Sequence, residues 1–256
     1  MAGHSKWANI KRQKARVDSK RGQIFAKVSR EIIVAAKMGG GDPDANFRLR
    51  TAIDKAKAVS FPNDNIDRAI AKGCGVAADG SEYESIRYEG YGPGGVAVLI
   101  EALTDNRNRA AADLRTAFGK NGGNLGETGC VGWMFDQKGV VTLAGEIDEE
   151  RLLEDALEAG AESYELVEEI DEETPGAEVF CDVPNLEEIS AALKGKDYDV
   201  REVDTRWIPS NMVKVDDPEL ASSLLKMVDA LEDSDDVQSV TANFDIEEEV
   251  LAQVMI

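Results

Sequence analysis

The stretch GVVTLAGEIDEERLLEDALEAGAESYELVEEI, residues 139–170, decides the expected fold of this chain. Its first part, 139–144, predicts a strand, 148–159 predicts a helix, and 163–170 predicts a second strand. A strand, a helix and a strand in close succession are half of a ferredoxin-like β-α-β-β-α-β module. The sequence on either side must therefore supply the other half.

The same order of elements recurs before and after this stretch. The further predicted elements are strand 96–101, helix 107–120, strand 130–135, strand 177–182, helix 185–194, strand 199–206, strand 211–216, helix 217–232 and strand 237–244. Two ferredoxin-like modules account for this order. The first would use residues 85–136 plus 207–256, with the second, acidic module (137–206) inserted between its halves. A simple serial division of the chain is the alternative.

The N-terminal part of the chain predicts helices. Apolar residues recur at helical spacing from Gly22 until the run Gly39–Gly41 ends the pattern, a second helix is expected over 44–58, and a third ends at Gly73. Residues 1–75 are thus expected to form a small helical domain. The expected fold class is α+β and multidomain, with an N-terminal helical domain followed by two ferredoxin-like α/β domains.

Charge is distributed very unevenly along the 256 residues, whose formal net charge is −21. Residues 1–60 hold 14 Lys+Arg and 5 Asp+Glu, a net of +9, whereas the remainder holds 15 basic and 45 acidic residues, a net of −30. An acidic protein is normally repelled by phosphate, but a basic segment on an acidic chain indicates an interaction surface on that segment. The pattern favours nucleic acid as the partner of the N-terminal part.

Basic residues near the N-terminus are the first candidate contacts with nucleic acid. The predicted site consists of His4, Lys6, Trp7, Lys11, Arg12, Lys14, Arg16, Lys20 and Arg21, with Lys27 and Arg30 continuing the basic run. Several cations along one surface attract a phosphate backbone, and Trp7 and His4 could stack on an unpaired base. A solvated basic face with Trp7 packed against the domain is the alternative.

A second basic cluster surrounds the predicted helix 107–120. It consists of Arg107, Arg109, Arg115 and Lys120. Cations in the first turn of a helix are disfavoured by the helix dipole, which indicates a binding role for Arg107 and Arg109. The alternative is that Asp105 and Asp113 pair with these arginines, and the sequence does not decide between the two.

The sequence offers little support for catalysis, a metal site or a cofactor. His4 is the single histidine, so no histidine-based triad or multi-histidine metal site can form in one chain. The G-x-G-x-x-G at Gly90, Gly92 and Gly95 precedes a predicted strand, whereas a dinucleotide site needs it between a strand and a helix. We expect no small-molecule substrate, no membrane span, and a cytoplasmic location, in keeping with three isolated cysteines and no secretory signal.

Several long stretches resemble the YebC family, whose eukaryotic relatives include the mitochondrial translational activator of cytochrome oxidase. They are MAGHSKWANIK at 1–11, KRGQIFAKVSREI at 20–32, GGGDPDANFRLR at 39–50, PNDNIDRAI at 62–70, YEGYGPGG at 88–95, LTDNRNRAAADLR at 103–115 and the Trp207-Ile208-Pro209 segment. The resemblance covers essentially the whole chain. It departs at Cys130, where the family commonly has serine, and in the many acidic residues of the third domain.

The resemblance implies a fold and a role in gene expression. The implied fold has an N-terminal helical domain and two α/β domains, the third inserted in the second. Family members have been regarded as DNA-binding transcriptional regulators, while others act in translation, contacting ribosomal RNA near the peptidyl-transferase centre and relieving stalls at proline-rich stretches. The primary hypothesis is therefore a non-enzymatic translation factor that binds ribosomal RNA or tRNA on the ribosome, and the alternative is a DNA-binding transcriptional regulator. An enzyme of unknown type is the third hypothesis.

Overall fold

The N-terminal helices depend on an asparagine that joins two of them. The computed structural model describes residues 21–75, 83–171 and 174–254. It begins with helices α1 (Arg21–Gly39), α2 (Phe47–Ala58) and α3 (Asn63–Gly73). Asn46 caps α2 by accepting from the Leu49 N–H at 3.1 Å, and its amide donates to the Ala35 carbonyl of α1 at 2.9 Å. Helix α2 therefore starts three residues later than the predicted 44–58, because Asn46 is its N-cap.

These three helices enclose a core of their own. Ile32, Leu49, Ala52 and Ala56 lie at its centre with 0% exposure. The rings of Phe25 and Phe61 meet edge to face at its margin, with centroids 5.0 Å apart. The helical periodicity of the sequence therefore corresponds to a buried face on each helix.

A four-stranded antiparallel sheet follows the helices. Its order is β3-β1-β2-β9, from strands β1 (Glu84–Tyr91), β2 (Ala97–Thr104), β3 (Asn124–Leu125) and β9 (Val237–Ala242). Helix α4 (Arg107–Lys120) connects β2 to β3, and helix α7 (Pro218–Glu232) precedes β9 and packs against α4. Strands β2 and β3 are thus separated by one strand and joined through a helix, as in a ferredoxin-like sheet.

The sheet differs from the sequence expectations at three places. Strand β1 was not predicted, and it lies between β3 and β2. Residues 211–216 were predicted as a strand of this module. This segment supplies only the short strand β8 (Val213–Val215), which pairs in parallel with β10 (Phe244–Ile246) in a separate sheet. The predicted strand 130–135 is a turn followed by a 3₁₀ segment at Gly132–Met134, because its backbone N–H groups bind a buried carboxylate instead of a neighbouring strand.

Residues 135–208 form the ferredoxin-like module that the opening stretch predicts. Its elements are β4 (Phe135–Ala144), α5 (Glu149–Ala159), β5 (Ser163–Asp171), β6 (Thr174–Cys181), α6 (Leu186–Gly195) and β7 (Asp199–Pro209). The sheet order is β5-β6-β4-β7. Helix α5 connects β4 to β5, with β6 between them, and helix α6 connects β6 to β7, with β4 between them. The predicted α+β class is confirmed.

The chain forms two compact units. One comprises residues 135–208, and the other comprises the described residues of 21–134 together with 209–254, including the last helix α8 (Glu248–Val254). The domain boundaries expected from the sequence remain a prediction. Among the described residues, no helix is both long enough and apolar enough to cross a membrane.

The G-x-G-x-x-G motif forms the close turn between β1 and β2. A Cβ atom at Gly90 would lie 2.6 Å from the Asn124 carbonyl oxygen and 2.8 Å from the Phe118 ring. Gly94 and Gly95 both have positive φ, at 74° and 75°. The glycines therefore serve close backbone packing and a tight turn between two strands.

We predict that Gly90→Ala lowers the free energy of unfolding by about 1–3 kcal/mol, because the added methyl group has no room between β3 and α4. The control is Gly119→Ala on α4, whose Cβ would meet nothing within 4 Å. That change should raise the free energy of unfolding by about 0.5–1 kcal/mol. Urea denaturation measures both, and equal effects of the two changes would contradict the packing role of Gly90.

Candidate nucleic-acid interface

Most of the predicted N-terminal contacts lie outside the described residues. They are His4, Lys6, Trp7, Lys11, Arg12, Lys14, Arg16 and Lys20. Arg21 is the first residue of α1. The assignment of these nine residues to nucleic acid therefore remains a prediction from the sequence.

Two further cations of the basic run hold α1 against the C-terminal end of α7. The Lys27 ammonium donates to the Glu232 carbonyl oxygen at 2.6 Å, and the Arg30 guanidinium donates to the Asp235 carbonyl oxygen. Gln23 donates more weakly to the Asp233 carbonyl oxygen, at 3.4 Å. The last turn of α7 carries no basic residue, so these donors meet the negative end of its dipole and the carbonyl groups at and just beyond its end.

Tyr83 provides another contact for the cations of the helical region. The Arg30 guanidinium lies 5.8 Å from the centre of its ring, and the Lys72 ammonium lies 5.5 Å from it. Both distances are within the range of a cation–π interaction. Tyr83, which leads into β1, thus helps to fix α1 and α3 beside the sheet.

The arginines at the start of α4 are engaged in ion pairs. Arg107 binds the Glu84 carboxylate at 2.7 Å, and Arg109 binds Asp105 at 2.8 Å and Asp236 at 2.9 Å. The hydrogen bonds to Asp236 and then Asp105 raise the pKa of Arg109. The sequence offered Asp105 and Asp113 as partners of these arginines. The structure confirms Asp105 as a partner of Arg109, and the other partners are Asp236 and Glu84 instead of Asp113.

Asp236 explains why an arginine occupies the unfavourable first turn of α4. Asp236 is only 3% exposed, and its carboxylate accepts hydrogen bonds from two nitrogens of the Arg109 guanidinium, Nε and Nη2. Its backbone carbonyl also accepts from the Leu103 N–H of β2 at 2.8 Å. Arg109 thus pairs with a buried carboxylate in the loop between α7 and β9. The side chain of Asn106, the N-cap of α4, accepts hydrogen bonds from the first N–H groups of the helix.

Arg115 and Lys120 are the members of this cluster that remain available. Both are exposed on α4, and neither forms an ion pair with a residue in the described part of the chain. All four secondary candidates are exposed, but Arg107 and Arg109 are engaged by carboxylates, so Arg115 and Lys120 are the two better placed to contact a phosphate. Their role in binding remains a prediction.

A cavity of about 350 Å³ lies beside α1, α4 and α7. Its lining includes Gln23, Arg109, Asp113, Asp233 and Asp235. Because acidic side chains outnumber basic ones around it, this cavity is unsuited to a phosphate group. Within the described ranges, no group of three or more His, Cys, Asp or Glu side chains could hold a metal ion.

Trp133 is an exposed aromatic residue that the sequence reasoning did not select. It is 73% exposed, and its indole N–H donates to the Cys130 carbonyl oxygen at 3.3 Å. The turn that carries it is held by the buried Glu89, whose carboxylate accepts from the N–H groups of Val131 at 2.8 Å and Gly132 at 2.7 Å. Its apolar neighbours in the sequence favoured a strand and thereby concealed it.

Backbone donors determine the ionisation of Glu89. Burial acts to raise the pKa of this carboxyl, but hydrogen bonds from the backbone of Val131, Gly129 and Gly132 outweigh it, so the pKa lies below its ordinary value. Arg87 adds a weaker contact at 3.5 Å. An ionised Glu89 is therefore part of the folded structure.

Comparison with known proteins gives matches along nearly the whole chain. The family model described as TACO1/YebC protein N-terminal domain matches residues 5–76, and the model described as TACO1/YebC second and third domain matches residues 83–244. A probable transcriptional regulatory protein of Rippkaea orientalis is 66% identical over 252 residues, with 98% of each chain covered. One of Nostoc punctiforme is 66% identical over 253 residues, again with 98% of each chain covered.

A solved structure has the same fold. The crystal structure of a conserved hypothetical protein, Aq1575 from Aquifex aeolicus, is 44% identical to this chain with a TM-score of 0.82. The match covers 93% of this chain and 95% of that protein. The fold described above is thus shared with a relative at the level of both sequence and structure.

We predict that Arg109→Ala lowers the free energy of unfolding by about 1–3 kcal/mol, because it leaves the buried Asp236 carboxylate unpaired. The matched change Arg107→Ala removes an exposed pair with Glu84 and should cost at most about 1 kcal/mol. Thermal or urea denaturation measures both. A cost for Arg107→Ala equal to that for Arg109→Ala would contradict the structural role of Asp236.

Glu89→Gln should destabilise the protein at neutral pH, by about 1–3 kcal/mol, because an amide accepts the backbone donors less strongly than a carboxylate. The folded-state pKa of Glu89 is lowered, so its stabilisation is present above the unfolded-state pKa and is lost as pH falls through the folded-state value. The difference in unfolding free energy between the two proteins should therefore shrink in acid. A difference that is constant with pH would contradict this interpretation.

Proposed function

The chain belongs to the TACO1/YebC family, and from this premise we propose that it is a non-enzymatic, nucleic-acid-binding regulator of gene expression that acts in translation. The specific proposal is that it binds ribosomal RNA near the peptidyl-transferase centre and relieves stalling at proline-rich stretches. It would act in the cytoplasm, with the ribosome as its partner and with tRNA as a further candidate contact. The observation that carries this proposal is the division of charge along the chain.

The basic part of the chain supplies the attraction. Residues 1–60 have a net charge of +9, and eight candidate contacts are concentrated in residues 1–20. Lysine and arginine bind phosphate oxygens and release condensed counterions, which favours binding without any requirement for covalent chemistry. Trp7 and His4 add rings that can stack on unpaired bases, which are common in ribosomal RNA loops and rare in duplex DNA.

The acidic body limits where this attraction can act. Residues 135–208 hold 6 Lys+Arg and 23 Asp+Glu, a net of −17, and residues 209–256 hold 2 basic and 12 acidic residues. These acidic residues are repelled by an extended polyanion. A binding site that contacts only the basic residues is therefore favoured over a polyanion that contacts the whole protein. A confined pocket of folded RNA fits this requirement better than a long duplex.

The docking of α1 supports a positional mechanism. Lys27 and Arg30 bind backbone carbonyls at the end of α7, which fixes the helix that follows directly on the basic segment. The expected action is to hold RNA or tRNA in a productive geometry. No catalytic group is assigned in this proposal.

Duplex DNA is the second candidate partner, since the relatives are named probable transcriptional regulatory proteins. A helical domain with basic residues could place a helix in the major groove. The exposed residues Arg115 and Lys120 could contact the phosphate backbone. In that case a sequence-preferring footprint should persist at physiological salt.

Co-sedimentation with ribosomes across a salt series, with duplex DNA titrated in parallel, separates the two candidates. If about 6–10 phosphates are contacted, the affinity should fall roughly 10³–10⁵-fold between about 50 and 200 mM salt. We expect ribosome binding to outlast DNA binding as the salt concentration rises. Specific DNA binding without ribosome association would overturn the translational proposal and establish the transcriptional one.

The double variant Lys11→Glu with Arg12→Glu should abolish stall relief and weaken ribosome binding at least about tenfold, since two phosphate contacts become repulsions. The control is Lys194→Glu with Lys226→Glu, which makes the same charge change at two exposed positions on the acidic body. Stall relief is measured with a reporter that contains a proline run. Full activity of the Lys11/Arg12 variant would contradict the assignment of the basic segment.

A further inference from the structure

One side of the acidic module, residues 135–208, has an apolar ridge that the described structure leaves uncovered. Leu153 and Leu157 on α5 are 44% and 64% exposed, and Leu166 on β5 is 45% exposed. Isolated exposed leucines are common, but three on adjoining elements indicate an interaction surface. The proposed function makes no use of this surface.

Leu166 lies on the face of the sheet that the helices cover. It pairs across the strands with Ala177, and Tyr164 pairs with Val179. Ala177 and Val179 are both 0% exposed and belong to the core. Because directly opposite residues of an antiparallel pair point to the same face, Tyr164 and Leu166 share the face on which α5 packs.

The ridge on α5 faces the same strand. Glu149, Leu153 and Leu157 are spaced four residues apart and form one stripe along the helix. The Tyr164 hydroxyl of β5 donates to the Glu149 carboxylate at 3.2 Å, so the stripe begins next to β5. Asp155, on the opposite side of the helix, binds Lys196 and Tyr198 instead.

Strand β5 is an edge of its sheet. The sheet order β5-β6-β4-β7 leaves one side of β5 without a neighbouring strand in the described chain. An edge strand presents N–H and C=O groups to any segment that can pair with it. The free edge and the leucine ridge are thus adjacent, which is the arrangement that binds an added strand together with its apolar side chains.

Charge determines what kind of segment fits. Glu150, Glu154 and Glu168 are exposed on the two elements that carry the ridge, and none forms an ion pair with a described residue. The module as a whole has a net charge of −17. A second copy of the chain would bring two such modules together and is disfavoured by repulsion, whereas a lysine- or arginine-rich segment is attracted.

We propose that the α5–β5 side of residues 135–208 binds a basic, extended segment of a partner protein, which pairs with the edge of β5 and packs its apolar side chains on Leu153, Leu157 and Leu166. The residues of this surface are different from the nucleic-acid contacts proposed among residues 1–21. It therefore stands or falls independently of the choice between RNA and DNA. The chain would join a polyanion at one part to a basic protein at another.

The test uses the full chain and a fluorescently labelled peptide of about ten alternating valine and lysine residues, which is the length of an ordinary strand. Fluorescence anisotropy should detect binding that weakens as salt rises, since the attraction is screened. A serine–lysine peptide of equal charge and a valine–glutamate peptide should bind at least about tenfold more weakly, because each lacks one of the two required properties. If the serine–lysine peptide bound as tightly as the valine–lysine peptide, binding would depend on charge alone, and the proposal would be overturned.

Variants locate the site. Leu153→Ser with Leu157→Ser should weaken binding of the valine–lysine peptide about tenfold or more, because the apolar contact is lost. Met38→Ser, at a position that is 70% exposed in the other unit, is the control and should leave binding unchanged. Both leucines are already exposed, so the double variant is expected to fold, and circular dichroism checks that it does.

Hydrogen exchange distinguishes strand addition from other modes of binding. Amides of β5 within Ser163–Glu168 should exchange more slowly when the valine–lysine peptide is bound, because outward N–H groups gain partners. Binding without added protection there would overturn the proposed pairing. Dimerisation of the chain that is abolished by the double leucine variant, or tight binding of a peptide of residues 5–20, would assign the surface to this chain itself and likewise overturn it.

Discussion

The contact between α1 and the C-terminal end of α7 is the interaction on which the arrangement of the larger unit depends. The last turn of α7 leads into an acidic loop and has no cation of its own, so the negative end of its dipole favours cationic donors from elsewhere. Lys27 and Arg30 supply them to the carbonyls of Glu232 and Asp235. The acceptors are backbone groups at or just beyond the negative end of a helix dipole, which favours cations at this position. The helices with their own core and the β3-β1-β2-β9 sheet thereby form one compact unit.

Local sequence patterns predicted the parts of the fold in which neighbouring residues decide the outcome. The module at 135–208 was predicted in its order of strands and helices, because each element carries its own periodicity and the connections are short. Strand β1 was missed, and residues 130–135 were wrongly predicted as a strand, for a single physical reason. Glu89 places a charged residue inside β1, and its carboxylate binds the N–H groups of Val131 and Gly132, which converts that segment into a turn. A contact between residues about forty positions apart leaves no periodic signal in either segment.

The candidate site shows the same limit. The unfavourable position of Arg107 and Arg109 in the first turn of α4 was visible in the sequence, but the sequence offered Asp105 and Asp113 as partners. The structure pairs Arg109 with Asp105, as the sequence allowed, and also with Asp236, which lies 127 residues away and is buried. The helix-dipole rule thus identified Arg109 as a residue with a specific role, but its buried partner could be found only from the fold. The basic segment before α1 is different, because its signal is compositional and requires no knowledge of which residues meet.

Separating the charges of one chain has a consequence for selectivity. At physiological salt, charges interact over about 8 Å, so an acidic surface repels phosphate only where the two come within roughly that distance. A long, regular polyanion offers phosphates to every part of a protein that lies along it, and the net charge of −17 on residues 135–208 then opposes binding. Under the proposed function, a folded RNA that admits only the basic part would escape this repulsion. The acidic module would then improve discrimination without touching nucleic acid, and its exposed carboxylates would attract the basic protein segment that we propose as its partner.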